Sequence, residues 1–525
     1  MGFTRWVFEL PDVTFDMVPK WSYLFYFIFF FVITKSATSS ISRSLAERRK
    51  GYGSVPRYPQ LIPIMGFDIA FSMAKSLRNH TFLLWLRMLH DTIPGKAKTF
   101  SIDFLGRHMI HTIEPENMKA LSATVWKDFG VEPLRRSTGA SMPFADKGVN
   151  TTDGHDWAFS RFLIKPYFLR EAFSNTDRLK VHTDNLLSLI PQDGSTFDMQ
   201  TLMQRWFLDT STNFLFGESM GCLLYPERAE IAWAMTDILR GLRLRLQMSK
   251  WLWLFRWKVW FSAIDVVHDF IDRQVDRAYS ERADAAKGQK QSSFGVELKP
   301  ERTDLLWSMV GNVPEDRERL RSEMLLLFVP NNDTTSIFIS NVFWNLARYP
   351  EVYAKVREEV LSIGENAPLT YEALRAMKYL DAVLNETHRL YPNGIMQVRY
   401  CIKDTTLPLG GGPDGQSPIY VRKGDVVQVN KNVMHRDKDV WGEDADEFRP
   451  ERWFGLRPYW NFVPFGGGPR RCPAQLLVTT EASYVVARFC RRFKAIENRD
   501  SKGYVPVMRA GPVNTNGVKI AVTPV

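Results

Sequence analysis

Apolar positions across most of residues 67–395 recur every three or four places, the period of a helix with one buried face. The spacing predicts helices over Leu320 to Arg348, Glu351 to Leu361 and Leu374 to Tyr391. Strand-like text is concentrated in two places. TFSIDFLGRHMIHTI, residues 99–113, has short apolar runs with Gly106 as a turn. Ile419 to Val429 alternates around a Lys423-Gly424 turn, after the breaker cluster GGGPDGQSP at 410–418. Many helices with a minor sheet, and no repeating strand–helix series, predict a mainly α body.

The N-terminus follows a different pattern. Between Lys20 and Lys35 lies WSYLFYFIFFFVIT, fourteen residues without a charge. A helix of that length spans about 21 Å, short of the roughly 30 Å of a bilayer core. Met17, Val18 and the stems of Lys20 and Lys35 extend it. Against a cleaved signal peptide, Arg5 and Lys20 are outweighed by Glu9, Asp12 and Asp16. Against a buried core helix, no amphipathic face is visible. An uncleaved anchor over about 18–35 fits best. Lys35, Arg43, Arg48, Arg49 and Lys50 face only Glu47, which puts that flank on the cytoplasmic side. Pro56, Pro59 and Pro63 then stiffen a spacer. The organisation expected is a segment 1–35 with the anchor, a basic and Pro-rich linker 36–66, and one catalytic domain 67–525.

Composition sets limits rather than a function. The 525 residues are 45% hydrophobic and 24% charged, which excludes a disordered tail and a multispanning membrane protein. Four cysteines exclude a disulfide scaffold and allow Cys222, Cys401, Cys472 and Cys490 to be weighed singly. The net charge is +10. Residues 240–261, RGLRLRLQMSKWLWLFRWKVWF, hold four Trp among six basic residues. That stretch fits either a core-facing helix pair with Arg on its outer side or a membrane contact. No nucleic-acid-binding motif accompanies it.

The strongest chemical signal is Phe465-Gly466-Gly467-Gly468-Pro469-Arg470-Arg471-Cys472-Pro473-Ala474. A cysteine ends a glycine-rich loop, two residues after an arginine. It precedes a helix whose apolar face is Val478, Ala482, Val485, Phe489 and Phe493. A helix N-terminus and free loop N–H groups favour a thiolate. A lone soft thiolate beside glycines suits an iron ligand approached by a flat macrocycle. The alternatives are a structural cysteine or a phosphate loop, and the Gly-Lys-Ser/Thr of the latter is absent.

This loop resembles the Phe-x-x-Gly-x-Arg-x-Cys-x-Gly signature of the cytochrome P-450 family, with Ala474 at the last position. Glu386-Thr387-His388-Arg389 is similar to its Glu-x-x-Arg helix, Phe448 to Trp453 to its Pro-Glu-Arg-Phe segment, and Trp157 with Arg161 to its Trp-x-x-x-Arg. The segment from Leu407 to Val427 is similar to the fungal alkane and fatty-acid hydroxylase branch. The resemblance covers essentially the whole chain. It implies the cytochrome P-450 fold and haem b on the thiolate of Cys472. Trp157, Arg161, Arg399, Phe465, Gly468 and Arg470 would hold the cofactor, and Glu386, Arg389 and Arg452 would form a buried triad. Arg399 is preceded by Gln397 where Asn is frequent, and His435 is either near the haem edge or a satisfied structural histidine. Pro330-Asn331-Asn332-Asp333-Thr334-Thr335 matches the distal-helix pattern except for Pro330 and Asn331. Asp333 and Thr334, the pair that delivers protons in the family, are retained.

The function so implied is membrane-anchored monooxygenation of an apolar substrate in fungal secondary metabolism, with fatty-acid or alkane oxidation as the alternative. Electrons would come from NADPH through a separate NADPH–cytochrome P-450 reductase, with cytochrome b5 as a further donor. Arg471, Arg488, Arg491, Arg492 and Lys494 would meet the reductase's acidic face. The implied location is the endoplasmic reticulum membrane, single-pass, with the catalytic domain cytoplasmic. Two other classes are a haem-thiolate isomerase or dehydratase needing no dioxygen, and a non-catalytic haem or ligand binder. Retention of Asp333 and Thr334 argues against the isomerase. Glycosylation triplets at Asn79, Asn150, Asn332 and Asn385 are read as chance, since two overlap buried motifs.

Overall fold

The computed structural model describes residues 51–525 apart from 63–64, 170–173, 256, 292–303, 314–315 and 510, with scattered positions between 30 and 46; 249–250 and 286–291 are described by backbone alone. Apart from Phe30 and Thr34, the anchor expected at 18–35 lies outside these residues. Among the described residues, no helix is long and apolar enough to cross a membrane.

The hairpin expected at 99–113 is β1 (Thr99–Phe104) and β2 (Arg107–Thr112), paired antiparallel from Thr99↔Thr112 to Phe104↔Arg107. Leu105 and Gly106 turn it with φ of 48° and 74°, the left-handed pair whose twist suits a two-residue hairpin. A short β3 (Phe129–Gly130) follows, then β4 (Met396–Cys401), β5 (Thr405–Gly411), β6 (Ser417–Val421) and β7 (Val426–Asn430). The main sheet has the order β1-β2-β7-β4-β3. The alternation over Ile419 to Val429 belongs to two sheets: β6 pairs with β5, whereas β7 runs parallel to β2 and antiparallel to β4. Every residue of β7 is buried, as befits a strand with a neighbour on each side. The proline stretch expected as a spacer lies partly on the body. The Tyr58 N–H donates to the carbonyl of Ser101 in β1, the Ser101 N–H donates to the Pro56 carbonyl, and Gly53 donates to Pro418.

The helices that frame the site are α1 (Gly154–Ile164), α2 (Met199–Phe216), α3 (Ile231–Met248), α4 (Lys258–Gln291), α5 (Arg317–Arg348), α6 (Pro350–Ser362) and α7 (Lys378–Leu390). Helix α5 matches the pattern at Leu320 to Arg348 and starts where the Asp316 side chain caps the Arg319 N–H at 2.9 Å. It is buried nearly all round, its first half against α2, α3 and α4 and its second half against α6, α7 and the helix that follows Cys472. The helix runs through Pro330 without a break.

The expected helix at Leu374 to Tyr391 is two helices, divided at Met377, whose ψ is 89°. A carboxylate from another helix explains the restart. Glu359 on α6 accepts the N–H groups of Tyr379 at 2.8 Å and Leu380 at 2.9 Å, which satisfies the orphan donors of a new N-terminus. Helix α8 (Gln475–Arg492) follows the cysteine, with Val478, Ala482, Val485 and Phe489 buried; Phe493 begins the next strand. Four further strands follow α8: β8 (Phe493–Asn498), β9 (Pro506–Met508), β10 (Pro512–Asn514) and β11 (Lys519–Pro524). β8 pairs with β11, and β9 with β10. β9 and β10 have three residues each and both begin with proline, which leaves little alternation to read.

Candidate functional site

The cysteine loop is fixed by its glycines. Gly466 and Gly468 have φ of 74° and 65°. A Cβ at Gly468 would lie 1.8 Å from the Ser122 carbonyl, and one at Gly467 would lie 2.1 Å from the Trp460 ring. These positions therefore admit only glycine without displacement of backbone or a large ring. The Cys472 N–H donates to the Phe465 carbonyl at 3.0 Å and closes the loop. Phe465 meets the ring of His388 edge-on at 4.8 Å, and His388 stacks flat on Phe338 at 3.7 Å. One aromatic column thus joins α5, α7 and the cysteine loop.

The column is held by Glu386 on α7. Its carboxylate accepts from Arg389 Nε and Nη2, both at 2.8 Å, from Arg452 Nε at 2.9 Å, from the Arg449 N–H at 2.9 Å and from Trp453 Nε1 at 3.0 Å. Arg389 spends its other N–H groups on the carbonyls of His435, Ala445 and Glu447. Glu386 and Arg389 are fully buried and Arg452 nearly so. Three charges with this many partners are satisfied rather than stranded. His435 is buried and accepts the Val463 N–H at 3.3 Å. Burial and the cations Lys431, Arg389 and Arg436 push its pKa well below the usual histidine range, which fits a neutral structural ring.

A set of buried cations surrounds the loop. Burial, then Arg135 and Arg470, drives the Arg399 guanidinium down to about 9. Arg135 is driven to about 10 by burial and Arg470. Lys431, near Arg399 and Cys472, falls to about 8 by burial. Arg161, four residues after Trp157 on α1, is lowered by burial and sits close enough to Cys472 and Arg471 to feel both. Arg470 lies over the Trp157 ring at 4.6 Å and donates to Asp153 at 2.6 Å. Asp153 is also occupied by the N–H groups of Val131 and Glu132. Among the described residues, these five buried or half-buried cations face two carboxylates, Asp153 and Glu132, and Glu132 is also paired with Arg136. Such a donor set calls for an anion of more than one charge, and a haem with its two propionates fits it. Burial raises the Cys472 thiol, while the Ala474 N–H, Arg161, Lys431 and Arg471 oppose that rise; a bound metal would turn the balance to thiolate.

The structure therefore brings together Trp157, Arg161, Arg399, Phe465, Gly468, Arg470 and Cys472. Sequence reading missed Arg135, Lys431 and Asp153. Asp153 carries a legible signal, since it precedes the Gly154 helix in an N-cap position; Arg135 and Lys431 carry none.

On α5 the expected proton-delivery pair is placed differently from the simplest reading. Asp333 is buried and ion-paired with Arg509, which follows β9. The Thr334 hydroxyl donates to the Asn331 carbonyl at 3.4 Å, and Asn393 Nδ2 donates to the Thr334 carbonyl at 2.7 Å. The Asn331 amide accepts from Thr335 at 3.4 Å.

The aromatic basic stretch 240–261 also departs from expectation. Trp257 and Trp260 are core, and Trp253 is exposed at 76%. Arg245 lies inside, not outside. It donates to the carbonyls of Gly139, Ala140 and Met142 and covers the Trp260 ring at 4.1 Å. Of the five cations offered to a reductase, Arg471, Arg492 and Lys494 are exposed, while Arg488 pairs with Asp184 and Arg491 donates to Gly364 and Ala367 carbonyls.

The cytochrome P-450 family model matches residues 56–506. The chain belongs to the cytochrome P-450 family. It is 59% identical over 499 residues to the cytochrome P-450 monooxygenase apdE of Emericella nidulans, covering 94% of each chain. To iccC of Talaromyces variabilis it is 56% identical, over 95% of this chain and 97% of that one. To iliC of Neonectria sp. it is 51% identical, over 92% and 94%. Each of these relatives is named a cytochrome P-450 monooxygenase. The family carries haem on a cysteine thiolate.

Proposed function

We propose that the chain is a haem-thiolate monooxygenase of fungal secondary metabolism, in which the Cys472 thiolate would hold the haem iron. One observation carries this most directly: a loop cysteine among five cations that outnumber the carboxylates beside them, Asp153 and Glu132 among the described residues. When bound, the haem supplies activation of dioxygen for insertion of one oxygen atom into substrate. The protein does the rest. Arg135, Arg399 and Arg470, with Trp157 and Arg161, would hold the haem carboxylates. The Glu386–Arg389–Arg452 triad holds the cysteine loop. Asp333 and Thr334 on α5 would relay protons.

Electrons come from NADPH through a separate reductase that meets the exposed Arg471, Arg492 and Lys494. The segment 18–35 anchors the chain in the endoplasmic reticulum membrane with the body on the cytoplasmic side. The relatives' shared name and fungal sources favour a pathway enzyme over housekeeping lipid oxidation.

The decisive test is the carbon-monoxide spectrum of the reduced protein. Wild type should give the thiolate-ligated band, and Cys472→Ala should lose it while keeping its helical circular dichroism. A wild-type spectrum of the histidine-ligated type would sink the proposal. NADPH consumption coupled to product then separates a monooxygenase from an isomerase or a passive binder.

A further inference from the structure

Two arginines of α3 differ in kind although they stand two places apart. Arg245 uses three carbonyls and two indole faces, and its Nε–H and both Nη2 N–H groups have acceptors. Arg243 does not. It donates to the Met508 carbonyl, and its Nε–H is buried with no acceptor among the described residues.

Thr236, Arg240 and Arg243 recur at spacings of four and three, so they share one stripe of α3. That stripe meets α5 and the β9–β10 hairpin. Arg509, just after β9, donates to the Thr236 hydroxyl at 2.8 Å and pairs with Asp333 on α5. Its Nε–H is likewise buried without an acceptor among the described residues. Burial, repulsion from Arg240 and attraction to Asp333 act on Arg243 together and leave its guanidinium near 10. Arg240 has only a loose pairing, 3.6 Å from Asp237.

Among the described residues, three half-buried guanidinium groups, Arg240, Arg243 and Arg509, face two carboxylates, Asp237 and Asp333. One positive charge is in excess, with two buried N–H donors idle, beside the residues proposed to move protons. A buried excess charge is costly unless an anion completes it, and a planar guanidinium fork is shaped for a planar oxygen anion.

We propose that Arg243 and Arg509, supported by Arg240, bind an oxygen anion of the substrate, a carboxylate or a comparable delocalised acid. The inference deepens the proposed function and rests on it. It divides the substrate into an apolar part and one acidic group, and it places the acidic group at the α3–β9 side of Asp333.

The test uses the full-length, haem-loaded protein and two probe pairs: dodecanoate with methyl dodecanoate, and naphthylacetate with its methyl ester. Binding is read as the change in iron spin state and, independently, by equilibrium dialysis. At low salt, wild type should bind at least one free acid about tenfold more tightly than its ester, the worth of one hydrogen bond to a charged group. Arg243→Gln and Arg240→Gln should each reduce that preference, and Arg243→Lys should keep part of it. All three should retain the reduced carbon-monoxide spectrum of wild type. Equal binding of acid and ester in both pairs would overturn the proposal, as would an undiminished preference in Arg243→Gln. Should Arg243→Gln fail to fold, Arg240→Gln and Arg243→Lys decide by the same measure. A wild-type protein lacking the thiolate spectrum would instead overturn the proposed function, so the two failures are distinguishable.

Discussion

Replacing Glu386 by Gln removes the negative charge at the centre of the triad while keeping its size. The substitution leaves Arg389 buried without a carboxylate partner among the described residues, while Arg452 keeps its contact with Asp444 at 3.3 Å. It also points an amide N–H₂ at donors that need an acceptor. Breaking a buried pair in this way costs about 3–5 kcal/mol, against a total stability of about 5–15 kcal/mol for a typical domain. For a chain of this size the unfolding entropy is about 1 kcal/mol/K, so the melting point should fall by about 3–5 °C. The damage should reach the cysteine loop, since α7 also carries His388, whose ring meets Phe465. The assay is thermal unfolding by circular dichroism together with the reduced carbon-monoxide spectrum after mild heating. Glu386→Gln should lose the thiolate band at a lower temperature than wild type. Arg452→Met should be milder, because Glu386 keeps Arg389 and the Arg449 and Trp453 donors. An unchanged melting point in Glu386→Gln, or equal damage from Arg452→Met, would refute the reasoning.

Three further outcomes are expected. Gly468→Ala combines a positive φ with a Cβ 1.8 Å from the Ser122 carbonyl, so haem incorporation during expression should fall several-fold; wild-type loading would contradict it. Acid should destabilise the fold through buried histidines. Burial holds the pKa of His388 near 3, below its unfolded value of about 6.5, so its stabilisation is complete above that value and is lost as pH falls toward 3. His388→Gln should accordingly lower proton uptake on unfolding at pH 5 by about one proton, read by unfolding in weakly buffered solution; undiminished uptake would count against it. Asp333→Asn should raise hydrogen peroxide relative to product per NADPH, by loss of a proton donor beside Thr334, and unchanged coupling would remove Asp333 from proton delivery.

The proximal half was legible from sequence because its chemistry is local. Cys472, its three glycines and Arg470 are within a few residues of one another, and each has a narrow steric or electrostatic purpose. Glu386 and Arg389 were legible as a same-face pair on a helix, although nothing in their spacing shows five donors converging on one carboxylate. The fold was legible where periodicity is long. The helix at 317–348 and the hairpin at 99–112 follow their patterns, and the differences arise where distant residues intervene. Glu359 restarts a helix at Lys378 from another element, and β6 leaves the turn at Lys423-Gly424 for a different partner strand. Neither event has a local signal.

The distal half was not legible for a related reason. Arg243 and Arg245 are read from sequence as one basic run, and only packing assigns one to three carbonyls and the other to a place with idle donors. Asp333 was recognised by its motif, but its partner Arg509 is far along the chain, after a three-residue strand that periodicity could not show. The pairing bears on the proposed proton delivery, because Arg509 occupies the carboxylate that the proposal asks to pass on a proton. An acidic substrate group on Arg243 and Arg509 would compete for the same guanidinium. Part of the +10 of the chain is therefore internal. On one side are the cations proposed to hold the cofactor's carboxylates, and on the other Arg509 pairs with Asp333 beside the proposed site for the substrate's anion.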